Sequence, residues 1–356
     1  MSGASLEAQI LDVLSQIRDP DLGQDIVALG FVKDLLLKKH LTGTDVSLTL
    51  ELTTPACPIK DQFERQARQL IEGLAGVRRV EVRLSSRVRG VGGEKSLPGV
   101  KNILAVGSGK GGVGKSTVAV NLAYALLASG AKVGLLDADI MGPSLGVMLG
   151  LQGMPQVKDS RMQPVMAFGM PVMSFAFFAP VGEAVVYRGP QVGKAVEQFL
   201  KEVVWPDLDY LVIDLPPGTG DVPLALFHTV TVSGAVVVST PQDVALADAL
   251  KGVAMFQKMK IPVLGLVENM SGFVCPHCGR STDIFGQGGT EKRALERGVP
   301  FLGRVPLDPL VVQRGDSGVP LVVEHPDHVV SKALRKVAEQ VAHRVSLANS
   351  SAQGVA

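Results

Sequence analysis

The sequence predicts a doubly wound α/β domain on a mostly parallel sheet, preceded by a small α+β domain, and three observations carry that prediction. From Lys101 onward short apolar, β-branched runs recur, mostly separated by helix-length segments: KNILAVGS, KVGLLDAD, PVMSFAFF, DYLVIDLPP, GAVVVSTP, PVLGLVENM and FLGRVP. Strands apolar on both faces and alternating with helices indicate a parallel sheet covered on two sides. The unusual sequences GSGKGGVGKST, DADIMGPS, DLPPGTGD and ENMSGFVCPHC all follow such runs. That is where an open α/β sheet places its ligand, beyond the carboxyl ends of the strands. Ahead of them, SSRVRGVGGEKSLPG is polar, contains glycine and lacks periodicity, so it reads as an exposed linker.

The first domain is expected over residues 1–87. LEAQILDVLSQI has a helical apolar pattern, DPDLGQDI is turn-rich, VKDLLL and TDVSLTLEL alternate, PIKDQFERQARQLIEGL is helix-like and RRVEVRL strand-like. The linker is placed at 88–99 and the α/β domain at 100–345. SLANSSAQGVA, residues 346–356, reads as a flexible tail.

Composition excludes several classes. With 35 basic against 34 acidic side chains in 356 residues, there is no basic excess to suggest a nucleic-acid binder. No run of about 18 uncharged apolar residues suggests a membrane span, and no leader pattern opens the chain, so a cytoplasmic location is expected. The three cysteines, Cys57, Cys275 and Cys278, argue against a disulfide framework and for a reducing compartment.

Gly109-Lys110-Gly111-Gly112-Val113-Gly114-Lys115-Ser116 fits G-x-x-x-x-G-K-[ST], after a strand and before the helical TVAVNLAYALLASG that opens with Thr117. Glycines let backbone N–H groups turn inward around phosphate oxygens. The helix adds its positive end, Lys115 neutralises charge, and Ser116 can ligate Mg²⁺. The same stretch satisfies G-x-G-x-x-G through Gly107, Gly109 and Gly112, with Asp137 further on. A nicotinamide site, however, has no need of Lys115-Ser116, so a nucleoside-triphosphate loop is preferred.

Lys110 reads from spacing alone either as a solvated lysine or as a second functional one. KGGVGKST resembles the deviant phosphate loop of the MinD/ParA/nitrogenase-iron-protein class, in which this early lysine crosses a dimer interface to the partner's nucleotide. The resemblance implies a homodimer with ATP between subunits and ATP hydrolysis. It further implies that Asp139, in LLDADIMGPS, orients the attacking water, with Asp137 in the same switch segment. Asp214, in DYLVIDLPPGTGD, would hold Mg²⁺ through water, with Gly218 as a switch near the γ-phosphate. Asn269, in ENMSG, is similar to the class's adenine-reading asparagine; a buried turn asparagine is the alternative.

FVCPHCGR brings Cys275 and Cys278 onto one side of a turn favoured by Pro276 and Gly279. Structural zinc would need two more ligands, and His277 lies inside the turn. A thioredoxin-like pair usually opens a helix. A site shared across a two-fold axis needs only one pair from each subunit, and symmetry would then supply the four thiolates of a [4Fe–4S] cluster.

The ordered set GSGKGGVGKST, DADIMGPS, IDLPPGTGD and ENMSGFVCPHCG closely resembles the Mrp/ApbC/Nbp branch of that ATPase class. The first domain, with DPDLGQDIVALGFV and LTTPACP, is similar to the small domain shared with SufT and MIP-type assembly factors. The resemblance implies an ATPase that binds a labile cluster between subunits and delivers it to apoproteins, alongside cluster-assembly factors. A membrane- or nucleoid-positioning ATPase and an electron-transfer reductase are the alternatives. Cys57 matches the cysteine of the T-x-P-x-C-P pattern and is either a reactive thiol or a buried small residue. His228 has no recognisable partner spacing. Val330, Leu334, Val337, Val341 and Val345 recur at helical spacing without aromatic anchors, which favours a helix docked on the core over a membrane-binding one.

Overall fold

A computed structural model describes residues 5–20, 22–92, 95–140, 142–151, 153–178 and 189–352. The chain divides into two compact units, one of the described residues up to Val88 together with residues 350–352, and one over Arg89–Asn349.

In the first unit, Ser5 caps α1 (Leu6–Leu14) by accepting the Ala8 N–H, and the helix buries Ile10 and Leu14, one turn apart. β1 (Val32–His40) pairs antiparallel with β2 (Gly43–Leu52), whose inward residues Val46, Leu48, Leu50 and Leu52 follow the two-residue period of a pleated strand. β3 (Val77–Ser86) lies parallel to β2, which demands a crossover. α2 (Lys60–Glu72) supplies it and buries Phe63, Ala67 and Ile71, each four residues from the next, in the core of this unit.

The second unit opens with β4 (Val100–Ser108), α3 (Lys115–Ala128), β5 (Val133–Asp137) and the short α4 (Leu145–Met148). Two short antiparallel pairs follow, β6 (Val157–Lys158) with β7 (Arg161–Met162) and β8 (Val165–Ala167) with β9 (Met170–Ser174). Then come α5 (Gly189–Glu202), β10 (Leu208–Asp214), α6 (Asp221–Thr229), β11 (Gly234–Ser239), α7 (Asp243–Lys258) and β12 (Val263–Val274). The chain continues with β13 (Ser281–Thr282), α8 (Gly289–Glu296), β14 (Phe301–Leu307), α9 (Pro309–Asp316), α10 (Leu321–Glu324) and α11 (Val329–Ala352).

The large sheet has the order β13-β12-β11-β4-β10-β5-β9-β8, with β14 also pairing β12. All its pairings are parallel except β8 with β9 and β13 with β12. The first unit is thus a small α+β domain, and the second is a doubly wound, mostly parallel α/β sheet. Its central strands are buried on both faces: Ile103 to Val106, Leu211 to Ile213 and Ala235 to Val238 are at most 3% exposed.

Three local expectations change. FAFF does not extend its strand but forms a 3₁₀ turn, Phe175–Phe178, with Phe175 stacked on Phe199 at 4.0 Å. The stretch from Arg89 is not a free linker. The Arg89 carbonyl accepts from Asn102 and Asn349, the Lys95 carbonyl accepts from Thr231, and Leu97 is buried. The expected tail from residue 346 instead continues α11 to Ala352, with Asn349 buried on Asn102 and Arg89; residues 353–356 lie outside the described set.

α11 docks as expected. Val330, Leu334, Val337, Val341 and Val345 are at most 1% exposed, and Val337 stands against Gly303 of β14. No helix among the described residues is long and apolar enough to cross a membrane.

Candidate nucleotide and thiol sites

Two sites stand at the carboxyl ends of the central strands. β4 and β10 are adjacent, so the loop after β4 and Asp214 at the end of β10 come together. The loop from Gly109 leads into α3, whose N-cap is Gly114 in the left-handed region at φ 77°. A Cβ on Gly114 would overlap the Asn269 amide, and one on Gly109 would overlap the Asp248 backbone of α7. Close backbone approach on two sides is the physical reason for these glycines. The Ser108 hydroxyl donates to the Lys110 carbonyl at 3.0 Å, and the Gly218 N–H donates to the Ser108 carbonyl at 2.8 Å, which ties the IDLPPGTG segment to the loop.

Lys115, 6% exposed, donates to Asp214 Oδ1 at 2.5 Å; its ammonium lies 3.3 Å from Ser116 Oγ and 3.9 Å from Asp139 Oδ2. Burial pushes the Asp214 carboxyl above the usual carboxylate range, opposed chiefly by Lys115. Asp214 Oδ2 is buried and has no hydrogen-bond partner. An orphaned carboxylate oxygen near the Ser116 hydroxyl is a hard-oxygen donor set, so these residues fit Mg²⁺.

Asp137 is fully buried, and its two oxygens accept from the Asp139, Ser144 and Leu145 N–H groups and the Ser174 hydroxyl at 2.9–3.2 Å. It therefore pins the DADIMGPS segment, while Asp139, with Oδ1 accepting from Gly142, faces Lys115. Burial first, then the Asp214 charge, pushes the Asp137 carboxyl up to about 7. Between its ordinary value of 3.8 and about 7 the folded state holds a proton that the unfolded chain has released, so this group's contribution to stability falls as pH rises through that window. Asp137→Asn is expected to flatten that slope, read from urea unfolding at about pH 5 and about pH 7.5.

Asn269, at the end of the central part of β12, reaches the phosphate loop. Its amide donates to the Val113 carbonyl at 2.9 Å, so it braces the phosphate loop. It also borders a small apolar cavity lined by Thr117, Val305, Pro306, Leu307 and Val311, at the start of α3. Lys110 is half-buried on the loop, and its charge helps hold the Asp248 carboxyl low, behind the larger effect of Lys251.

The thiol site follows β12 directly. β12 and β13 pair antiparallel through Phe273 with Thr282 and Val274 with Ser281; the Cys275 N–H donates to the Arg280 carbonyl at 3.0 Å and the Gly279 N–H to the Cys275 carbonyl at 2.8 Å. These bonds set a tight knuckle with Cys275 half-buried and Cys278 exposed. Arg280, hydrogen-bonding the Cys278 thiol, holds it below the usual thiol range and so favours the thiolate, the form that ligates metal. Among the described residues no group of three or more His, Cys, Asp or Glu side chains gathers to hold a metal. In the first unit, Cys57 precedes α2 by three residues and packs half-buried against that unit's core.

Glu268 went unnoticed in the sequence. Fully buried, it accepts from the Ser271 hydroxyl at 2.5 Å and from the Gly288 and Thr290 N–H groups at 2.8 Å each. Only its position, a carboxylate at the carboxyl end of a buried strand, could have flagged it.

Fold and loop together define a phosphate-loop NTPase of the MinD/ParA-like class. Residues 99–342 match the family model described as ParA, NUBPL iron-transfer P-loop NTPase, and residues 7–83 match one described as iron–sulfur cluster assembly protein. The chain belongs to the NUBPL-type iron-transfer NTPase family. It is 48% identical over 341 residues to the iron–sulfur cluster carrier protein of Deinococcus radiodurans, covering 95% of each chain. It is 42% identical over 348 residues to that of Escherichia coli K12, covering 96% of this chain and 93% of that one. Among solved structures it is similar to a nucleotide-binding protein from Archaeoglobus fulgidus in complex with ADP. That match has TM-score 0.56 and 39% identity, over 66% of this chain and 96% of that one. The Pyrococcus furiosus cell division ATPase MinD matches at TM-score 0.51 and 26% identity, over 67% and 98%.

Proposed function

We propose that this protein is an ATP-hydrolysing iron–sulfur cluster carrier that holds a labile [4Fe–4S] cluster between two copies of the chain and transfers it to apoproteins. The observation that carries the reading is the pairing of a complete phosphate loop with a knuckle offering two thiols, half of what such a cluster requires. The similarity to cluster carriers over nearly the whole chain supports it.

In this reading the N–H groups of residues 109–117 cradle the phosphates, and Lys115 turns from Asp214 to the phosphate oxygens. Ser116, directly, and Asp214, through water, would hold Mg²⁺, which when bound neutralises developing phosphate charge. Asp139 orients the attacking water, and the segments pinned by Asp137 and by Gly218 respond to the γ-phosphate. Lys110 completes the partner's site, and Asn269 meets the adenine. Cys275 and Cys278 of each subunit hold the cargo, while the first unit, with Cys57, engages cluster-assembly factors. The setting is the cytoplasm, and neither membrane nor nucleic acid takes part.

The test is anaerobic transfer of a reconstituted cluster to an apoprotein. Wild type transfers it in an ATP-dependent manner, the Cys275/Cys278 double alanine variant transfers none, and Lys115→Ala loses the ATP dependence. Equal transfer by all three overturns the reading. Lys110→Ala is expected to bind nucleotide but fail to dimerise in response to it, as read by analytical ultracentrifugation with and without ATP.

A further inference from the structure

The nucleotide loop and the thiol knuckle are joined by one strand, and adjacent residues of that strand hold the loop and the base of the excursion that carries the knuckle. Asn269 holds the loop through the Val113 carbonyl. Glu268, its neighbour, closes the base of the excursion that carries Cys275 and Cys278. Ser271 stands at the outgoing limb of that excursion and Gly288 and Thr290 at its return, and one carboxylate accepts from all three. Glu268 also stands 3.6 Å from Arg304 of β14, which pairs with Glu291 of α8. Between clamp and knuckle the backbone is held in an unusual shape, with Met270 at φ 56° and Gly272 at φ 71°, where the register of β12 against β14 shifts.

We infer that Glu268 is a positioning residue that couples nucleotide occupancy to the thiol knuckle. The inference rests on the reading of the two sites given above. A phosphate entering the loop draws its N–H groups inward and moves the peptide units that Asn269 braces. A displacement of Asn269 reaches Glu268 through one peptide bond, and a buried carboxylate with three donors passes it to both limbs of the excursion, because a low-dielectric network is costly to break piecemeal. A Gln at 268 keeps the volume but has a single acceptor oxygen on its amide, so its NH₂ group must face at least one of the donors it should accept from.

Hydrogen–deuterium exchange on the full-length apoprotein, with and without adenylyl imidodiphosphate and Mg²⁺, tests this. In wild type the nucleotide slows exchange across residues 109–117 and shifts exchange across residues 273–288 by about 5-fold or more. In Glu268→Gln the loop is protected as in wild type while the knuckle no longer responds; a merely structural role would alter the knuckle's basal exchange and leave its response intact. Ser271→Ala, which keeps the carboxylate and both backbone bonds, weakens the response, and it decides alone if Glu268→Gln does not fold. A wild-type knuckle response in these variants overturns the coupling. Absence of protection at residues 109–117 in wild type would instead overturn the ATP reading on which the coupling rests.

Discussion

Replacing Cys275 and Cys278 together by alanine is expected to abolish cluster assembly and to leave the fold and the nucleotide site unchanged. The knuckle is set by backbone bonds, Cys275 N–H to the Arg280 carbonyl and Gly279 N–H to the Cys275 carbonyl, neither of which needs sulfur. Cys278 is exposed and Cys275 half-buried, so truncation opens no core cavity, and the stability change is expected within about 0.5 kcal/mol. Iron, by contrast, should fall from about four per two chains to background, because no other cluster of ligating side chains among the described residues can substitute. Iron and sulfide analysis after anaerobic reconstitution measures the first effect, and nucleotide titration of the same sample measures the second.

Lys115→Ala is expected to act twice, and the two effects are separable. On the ligand side it removes a buried ammonium facing the phosphate site and should weaken ATP binding by about 100-fold, the scale of a lost charge-assisted hydrogen bond in a shielded pocket. On the protein side it strips Asp214 of its partner. A fully buried carboxylate left unpaired costs about 3–5 kcal/mol unless it takes up a proton. Asp214 is already pushed up by burial, and without Lys115 it rises further. A carboxyl whose folded value exceeds its unfolded one loses stability as pH rises, so the variant should be destabilised most above neutrality and least in mild acid. Asp214→Asn placed on top of Lys115→Ala should recover much of that loss without restoring ATP affinity. Calorimetric titration and urea unfolding across pH read the two effects independently.

Much of this was legible in the sequence because it is local. The phosphate loop, the strand-end aspartates and the Cys-x-x-C turn are short stretches whose chemistry depends on neighbours within a few residues, and the parallel order follows from apolar runs. What escaped is set by residues distant in the chain. Glu268 finds its backbone partners 20 and 22 residues on, at the cap of α8, and nothing in ENMSG marks that return. Asn269 spans 156 residues to brace Val113, a contact that its resemblance to a base-reading asparagine does not suggest. The stretch after Arg89 has linker composition, yet its carbonyls are claimed by Asn102, Asn349 and Thr231. The strands β6, β7 and β8 are too short and too exposed to leave a periodic signal.

The central claim is that one cluster belongs to two chains, and native mass spectrometry of the anaerobically reconstituted full-length protein tests it most directly. The account predicts a single cluster-bearing species of two chains carrying about four iron and four sulfide, with single chains free of iron. A single chain that retains the whole cluster, or a two-chain species carrying two of them, would contradict it.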